Sequence, residues 1–530
     1  MKKRVCLWIV AACLLPLAVC LLPLGVWAFR VGHGPRFDFN AATTLDRPPS
    51  IRPDYRDTVI PPNIAPLNFV VQEPGTDCAV RIHAAHGAAI ELQARNSQVS
   101  IPVGPWRQLL AANRGQAFSI DICVRDAGGE WRRFHPIVNT IADSEIDNYL
   151  FYRLLKPVHT VYGDIGIYQR DLRSYFETPV VENKSFGGAC VNCHTFAPNH
   201  AGRMILQTRG TKNGVDYGGT IVVRNGRIDK VDTRSLAKAG GADRGRIGQA
   251  MAAYAAWHPQ GEFVVYSAND IFQFFHAVGD VRDVFDAESD LAVYHVDSNR
   301  VSTSPEISRP DRLETYPTWS PDGRALYFCA ADPLPREQYK QVRYDLMRIG
   351  YDPDSGDWGE LEPVLLSKDT GLSITEPRVS PDGKWLLFCM SDYGSFPVYR
   401  SSSDLYLLNL QTRKYHRLAI NSPRSESWHC WSANSRWIAF ASKRSDGVFG
   451  RIYFSYVDES GHAHKPLVLP QEDPAFYDRL VKTYSVPELT SVPAPVHSPT
   501  LGRAVRLLGS RQDHDPASET MRFGGHSQDF

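Results

Sequence analysis

Four stretches of this 530-residue chain repeat one pattern, and that repetition limits the fold more than any other feature. "AAWHPQGEFVVYSAND", "YPTWSPDGRALYFCAAD", "EPRVSPDGKWLLFCMSD" and "HCWSANSRWIAFASKR" each pass from an apolar residue through a Ser/His-Pro/Ala-x-Gly/Ser turn into an alternating apolar strand. Trp257, Trp319, Val379 and Trp431 hold the same place in the four, at spacings of about 50 to 60 residues, the period of a four-stranded propeller blade with long loops. A second strand pair follows each repeat, as in "SDLAVYHVDSNRV" and "SDLYLLNLQTRKYHRL", and matches the outer hairpin of a blade. With "YGGTIVVRNGRIDKVD" before them and "GRIYFSYVDESGHAHKPLVL" after them, the repeats predict an all-β fold. Its main body is a β-propeller over residues 211–490, of five or six blades, closed by strands from both ends.

Other segments are assigned around that body. Lys2, Lys3 and Arg4 precede the uncharged run Val5–Ala28, so residues 1–30 are expected to be a signal peptide or signal anchor, with cleavage after Val26-Trp27-Ala28 as one outcome. Everything after Arg30 is then exported, and the chain is periplasmic, tethered to the cytoplasmic membrane if the segment is uncleaved. Residues 31–60 are rich in Pro and Arg and are expected to be a linker. Residues 61–143 alternate in short runs such as "CAVRIHA" and "AFSIDICVRD", which predicts an immunoglobulin-like β-sandwich. Cys78 and Cys123 fall inside it and are either a disulfide or a pair of buried thiols. Residues 144–210 are expected to be an aromatic connector, with a short helix around Tyr149–Leu155 ending before Pro157, and residues 491–530 a disordered tail. The 58 basic and 58 acidic side chains cancel, which argues against nucleic acid as a partner.

The connector carries the one motif with specific chemistry, "GGACVNCHTF". In a C-x-x-C-H pentapeptide both thiols reach the vinyl groups of one porphyrin, and the adjacent imidazole reaches the iron. Cys190 and Cys193 are thus expected to anchor one covalent haem c by thioethers, with His194 as proximal axial ligand. A structural zinc site needs a second ligand pair, and none follows at zinc-finger spacing. A redox dithiol belongs at a helix start in an α/β fold, which the surrounding Gly, Asn and Pro do not suggest. Met204, ten residues beyond His194, is the first candidate for the distal ligand; His258, His276 and His429 are others that a blade could deliver. Cys329 and Cys389 recur at one blade position and are read as packing. No G-x-S-x-G, H-E-x-x-H or P-loop pattern occurs in the sequence.

The "WSPDGxxLxF" form at Trp319–Phe328, repeated at Ser380–Phe388, resembles the TolB-type, WD-repeat-like β-propeller family, a likeness that concerns fold more than activity. "IDNYLFYRLLKPVHTVYGDIGIYQRDLRSYFE", "CVNCH", "RMILQTRG" and "HKPLVLPQEDPAFYDRLVKTYSVPE" together look like the haem-motif-bearing TolB-like proteins of Bacteroidetes and related bacteria. That resemblance implies an exported propeller with one c-type haem. The expected function is electron transfer, or a haem-bearing redox subunit, with an unidentified redox partner protein. The alternative is a scaffold whose propeller face binds a protein or glycan and whose haem is structural or regulatory; oxidase or peroxidase chemistry at the iron requires an open distal site.

Overall fold

The computed structural model describes residues 37–94, 96–156, 164–274, 283–509 and 521–522. The innermost strands of six sheets are Cys190–Ala197, Ala252–Trp257, Leu313–Trp319, Ser373–Val379, Glu426–Trp431 and Thr483–Thr490. Each touches the next and the last touches the first, so the six sheets are blades 1 to 6 of a closed ring. Three of the repeated turns are built alike. In blade 3 the Ser320 hydroxyl accepts from Ala325 N (2.9 Å) and Asp322 Oδ1 from Arg324 N (3.0 Å). Blade 4 repeats this with Ser380 and Asp382, and in blade 5 Asn434 replaces the aspartate beside Ser432. Gly323 and Gly383 both sit at φ +71°, which only glycine adopts cheaply. The Ser, Asp and Gly of the repeat therefore serve turn chemistry.

Blade 6 is assembled from both ends of the chain. Its inner strand Thr483–Thr490 pairs antiparallel with Tyr149–Leu155, followed outward by Gly166–Asp171 and Glu177–Glu182. The segment around Tyr149–Leu155 is thus a strand, not the expected helix. Flanked by strands on both sides, it buries Leu150, Phe151, Tyr152 and Leu154, and this pairing outweighs a weak local preference. Residues 144–210 are accordingly no connector: they supply the outer strands of blade 6 and the first two strands of blade 1.

The N-terminal body has a seven-stranded sheet, a three-stranded sheet (Ile51–Arg52, Phe69–Val71, Gln98–Val99) and a helix, Val103–Ala112. Strands Thr43–Thr44, Ile51–Arg52 and Val59–Ile60 fall within the stretch expected to be linker. The helix was not expected; Val103, Trp106 and Leu110 at helical spacing were its signal, and Trp106 is buried with Nε1 donating to Ile64 O (3.0 Å). Cys78 pairs with Val124 and Ala79 with Cys123, so the two cysteines point to opposite faces of the sheet and sit in different cores. Neither is in a disulfide. One core runs from this body into blades 4 to 6, joining Tyr55 and Leu67 to Leu405, Trp437 and Phe440.

The tail is ordered further than expected. Ser498–Gly509 is a helix whose Leu501, Ala504, Val505 and Leu508, at i, i+3, i+4 and i+7, are buried, the first three in the core that blades 1 and 6 share. Its Ser498 hydroxyl accepts from Glu182 N (2.9 Å). Among the described residues no helix is long and apolar enough to cross a membrane, and the expected signal or anchor lies outside them.

One buried carboxyl gives the fold a pH dependence. Glu314, in the blade 3 inner strand, is 1% exposed, and its Oε2 has no hydrogen-bond partner. Burial, reinforced by the nearby Asp290 charge, pushes its pKa from 4.5 to about 9. A carboxyl raised in the folded state holds a proton that the unfolded chain releases, so stability falls as pH climbs from about 4.5 toward 9. Glu314→Gln is expected to flatten that fall and to be more stable than the parent at pH 8 by on the order of 2 kcal/mol. Urea titrations at pH 5 and pH 8 check this, and identical slopes for the two proteins would contradict it.

Candidate functional site

Every inner strand carries a bulge at the same place. In blade 1 Asn192 pairs with Gln207 and Thr195 with Ile205, so Cys193 and His194 together oppose a single residue. Equivalent breaks occur in blades 2 to 5, and in blade 6 opposite Tyr152. In four blades the first bulge residue takes a left-handed backbone: Tyr316 (φ 52°), Glu376 (54°), Trp428 (47°) and Val486 (50°). Proline follows three of these, as Pro317, Pro377 and Pro487. The bulges turn side chains toward the hub, where they line a cavity of about 760 Å³. That volume is of the size that encloses cofactors and other small molecules.

The haem-type motif therefore lies on the innermost strand of blade 1. Cys190, Asn192 and His194 line the cavity, and Cys193 lies between them in the same strand. His194 is 2% exposed, and its ring nitrogens have no partner beyond a loose contact with the Val486 backbone. Burial, then the nearby Arg153 and Arg378 charges, lower its pKa to about 3, so the imidazole is neutral with an available lone pair. Around it, Tyr254 and Tyr316 stack at 4.1 Å between centroids and Trp428 lies 5.7 Å from Tyr254. Arg153, Arg209, Lys212 and Arg378 add positive charge to the lining, and Glu488 takes one of these in a 2.9 Å ion pair with Arg378. The Nε atoms of Arg153 and Arg209 are buried without a partner. A neutral orphaned imidazole, flat aromatic walls and cations for two propionates fit a haem held by the motif.

Met204 is elsewhere. It pairs across the sheet with Phe196, is fully buried, and belongs to the apolar core between blades 1 and 6, not to the cavity lining. Proximity in sequence misled because Met204 lies on the second strand of the blade, with its side chain in that core. Met204→Ala is expected to cost about 2–4 kcal/mol of stability as a core truncation while leaving the cavity's ligand behaviour unchanged. Denaturation and absorption spectra of the variant test both halves.

The other histidines separate cleanly. His258 is a turn residue: its ring lies over Phe263 and Nε2 is 3.1 Å from Gly323 O. His276 lies outside the described residues. His429 lines the cavity two residues before Trp431, just as His194 stands two before Phe196. Burial first, then Arg378, lowers its pKa to about 3 as well. Tyr254, Tyr316, Glu376 and Trp428 were missed from the sequence, although a signal existed: each stands three residues before the apolar mark of its repeat.

No family model matches the sequence, and no curated protein matches it. Among solved structures the chain is similar to TolB from Acinetobacter baumannii, at 12% identity over 70% of this chain and 78% of that one, with TM-score 0.37. It is similar also to the Dos1 propeller (11%, 55% and 67%, TM-score 0.32). A third is an auxiliary nutrient binding protein from Bacteroides thetaiotaomicron (10%, 78% and 99%, TM-score 0.33). The scaffold is a β-propeller. None of these likenesses concerns a cofactor.

Proposed function

We propose that this protein is an exported single-haem c-type cytochrome on a propeller scaffold, acting in electron transfer or as the haem-bearing subunit of a redox assembly. Cys190 and Cys193 would hold the macrocycle and His194 would ligate its iron. The observation that carries this reading is His194: a C-x-x-C-H imidazole, 2% exposed, with no partner for its ring nitrogens beyond a loose contact with the Val486 backbone, on the lining of the cavity. Ring nitrogens left without a well-formed hydrogen bond in a protein interior cost free energy unless a ligand takes one of them.

A bound haem supplies an iron that alternates between ferric and ferrous states. The chain's own residues do the rest. His194, neutral at any physiological pH, presents a lone pair without first losing a proton. Arg153 and Arg209, half-buried in the lining, would offer their guanidinium groups to propionate carboxylates. Tyr254, Tyr316 and Trp428 cover apolar ring surface and keep water from it. The compartment in this reading is the periplasm, where a redox partner protein docks.

The test is expression of the full chain with a haem-attachment system. The reading requires c-type absorption bands that appear on reduction and stay with the denatured polypeptide, and reversible cycling with mild reductants. Purified chain without covalent haem sinks it.

A further inference from the structure

Blades 4 and 5 bring a second set of donor atoms together beside the same cavity, which Glu376 and His429 line. Glu376 is a bulge residue of the blade 4 inner strand, Cys389 stands on the neighbouring strand Trp385–Ser391, and His429 follows the bulge of blade 5. All three are buried, and one oxygen, the sulfur and one nitrogen lie within 4.8 Å of one another. Cys389 Sγ is 3.6 Å from Glu376 Oε2 and 3.7 Å from His429 Nδ1. For zinc, bonds of about 2.3 Å to sulfur and about 2.0–2.1 Å to nitrogen or oxygen, at the tetrahedral angle, separate the donor atoms by roughly 3.6 Å. The two spacings from the sulfur match ligands around one ion, and the carboxylate and imidazole donors lie within 4.8 Å of each other.

Two further observations point to a cation. His429 Nε2 lies 3.2 Å from Leu387 O; a proton there donates to the carbonyl and leaves the Nδ1 lone pair aimed at Cys389. This is how an outer hydrogen bond orients a metal-binding imidazole. Glu376 is 5% exposed, and its Oε1 has no hydrogen-bond partner. Hydrogen bonding inside the cluster does not resolve this. Glu376 Oε2 accepts from Trp428 N (2.5 Å), the one thiol proton on Cys389 faces three acceptors, Glu376 Oε2, Glu426 O and His429 Nδ1, and Oε1 stays bare.

We propose that Glu376, Cys389 and His429 bind one zinc-class divalent ion, with a fourth coordination position open to the cavity. Binding displaces the Cys389 thiol proton and any proton on Glu376, leaving a thiolate, a carboxylate and a neutral imidazole on the ion. One sulfur, one nitrogen and one oxygen suit Zn²⁺ and exclude Mg²⁺ and Ca²⁺, which require all-oxygen shells. Three protein ligands with one open position is the arrangement of catalytic zinc sites, whereas structural ones are closed. None of its residues belongs to the Cys190–His194 motif, although Glu376 and His429 line the same cavity.

The experiment uses the full chain, reduced, equilibrated with ZnCl₂ and dialysed. The wild type is expected to keep about one zinc per chain, and its zinc-edge X-ray absorption to show one sulfur at about 2.3 Å. Cys389→Ser should lose that sulfur and bind at least about tenfold more weakly. Glu376→Gln, nearly the same shape, should weaken binding similarly while its zinc-free circular dichroism matches the parent, and it decides the matter if the cysteine variant does not fold. No retained zinc in the wild type, unchanged affinity in the folded variants, or a sulfur signal that persists without Cys389 overturns the proposal. Iron measured in the same samples reports on the haem separately.

Discussion

Replacing Cys190 and Cys193 together by alanine is expected to leave all haem extractable from the denatured chain, where the parent keeps one haem per polypeptide. The contrast is all-or-none because thioether bonds survive unfolding and axial coordination does not. His194→Leu is the complementary case: haem stays covalently bound, but the low-spin spectrum of a histidine-ligated iron is lost. The same variant separates a ligand from a structural residue. A buried ring nitrogen without a well-formed hydrogen bond costs about 1–3 kcal/mol, so in the haem-free chain His194→Leu should be neutral or stabilising. A histidine kept for packing or hydrogen bonding would instead destabilise the fold on replacement. Mass spectrometry of the denatured protein, reduced-minus-oxidised spectra and urea titrations of the apoprotein give the three readings.

Ending the chain at Lys482 is expected to abolish cooperative folding, while ending it at Gly509 leaves the melting transition within a few degrees of the parent. The first truncation removes Thr483–Thr490, the inner strand of blade 6, in which Tyr484, Val486 and Leu489 are buried. Each buried side chain of that size contributes about 1.5–3 kcal/mol, and the strand Tyr149–Leu155 also loses its inner hydrogen-bonding partner. The sum approaches the whole stability of an ordinary domain, about 5–15 kcal/mol. It also removes the helix Ser498–Gly509, whose Leu501 and Val505 help seal the core of blades 1 and 6. Calorimetry of the two truncations side by side checks the ring closure; a normal transition for the shorter one would mean the propeller does not depend on its last strand.

Much of the fold was legible because the repeats advertise local chemistry. Ser320, Asp322 and Gly323 write a tight turn through their own hydrogen bonds and backbone preference, and the alternation that follows writes a strand. The errors share one physical cause. Tyr149–Leu155 reads locally as a short helix, and pairing with Gly166–Asp171 on one side and with a segment more than 320 residues away on the other makes it a strand. Thr43–Thr44 and Val59–Ile60 have too little pattern to announce themselves, and are strands because sheet neighbours claim them. Cys78 and Cys123 differ by one step of register, which places them on opposite faces, and register across a sheet is not written in either strand alone.

The site divides in the same way. Cys190, Cys193 and His194 stand out in the sequence because the C-x-x-C-H pattern is contiguous: it depends on spacing along one strand. Tyr254, Tyr316, Glu376, Trp428 and His429 come from four different blades and meet only because each inner strand bulges at the same height. Met204 shows the converse, since ten residues of separation said nothing about which face of the blade it occupies. The sequence by itself determined the repeat, the turns and the motif, all set by interactions within a few residues. The tertiary structure decided that the motif belongs to blade 1, that blade 6 is closed by distant strands and that the cavity has five further walls, because ring closure and register are settled only when remote strands compete for the same hydrogen bonds and buried surface.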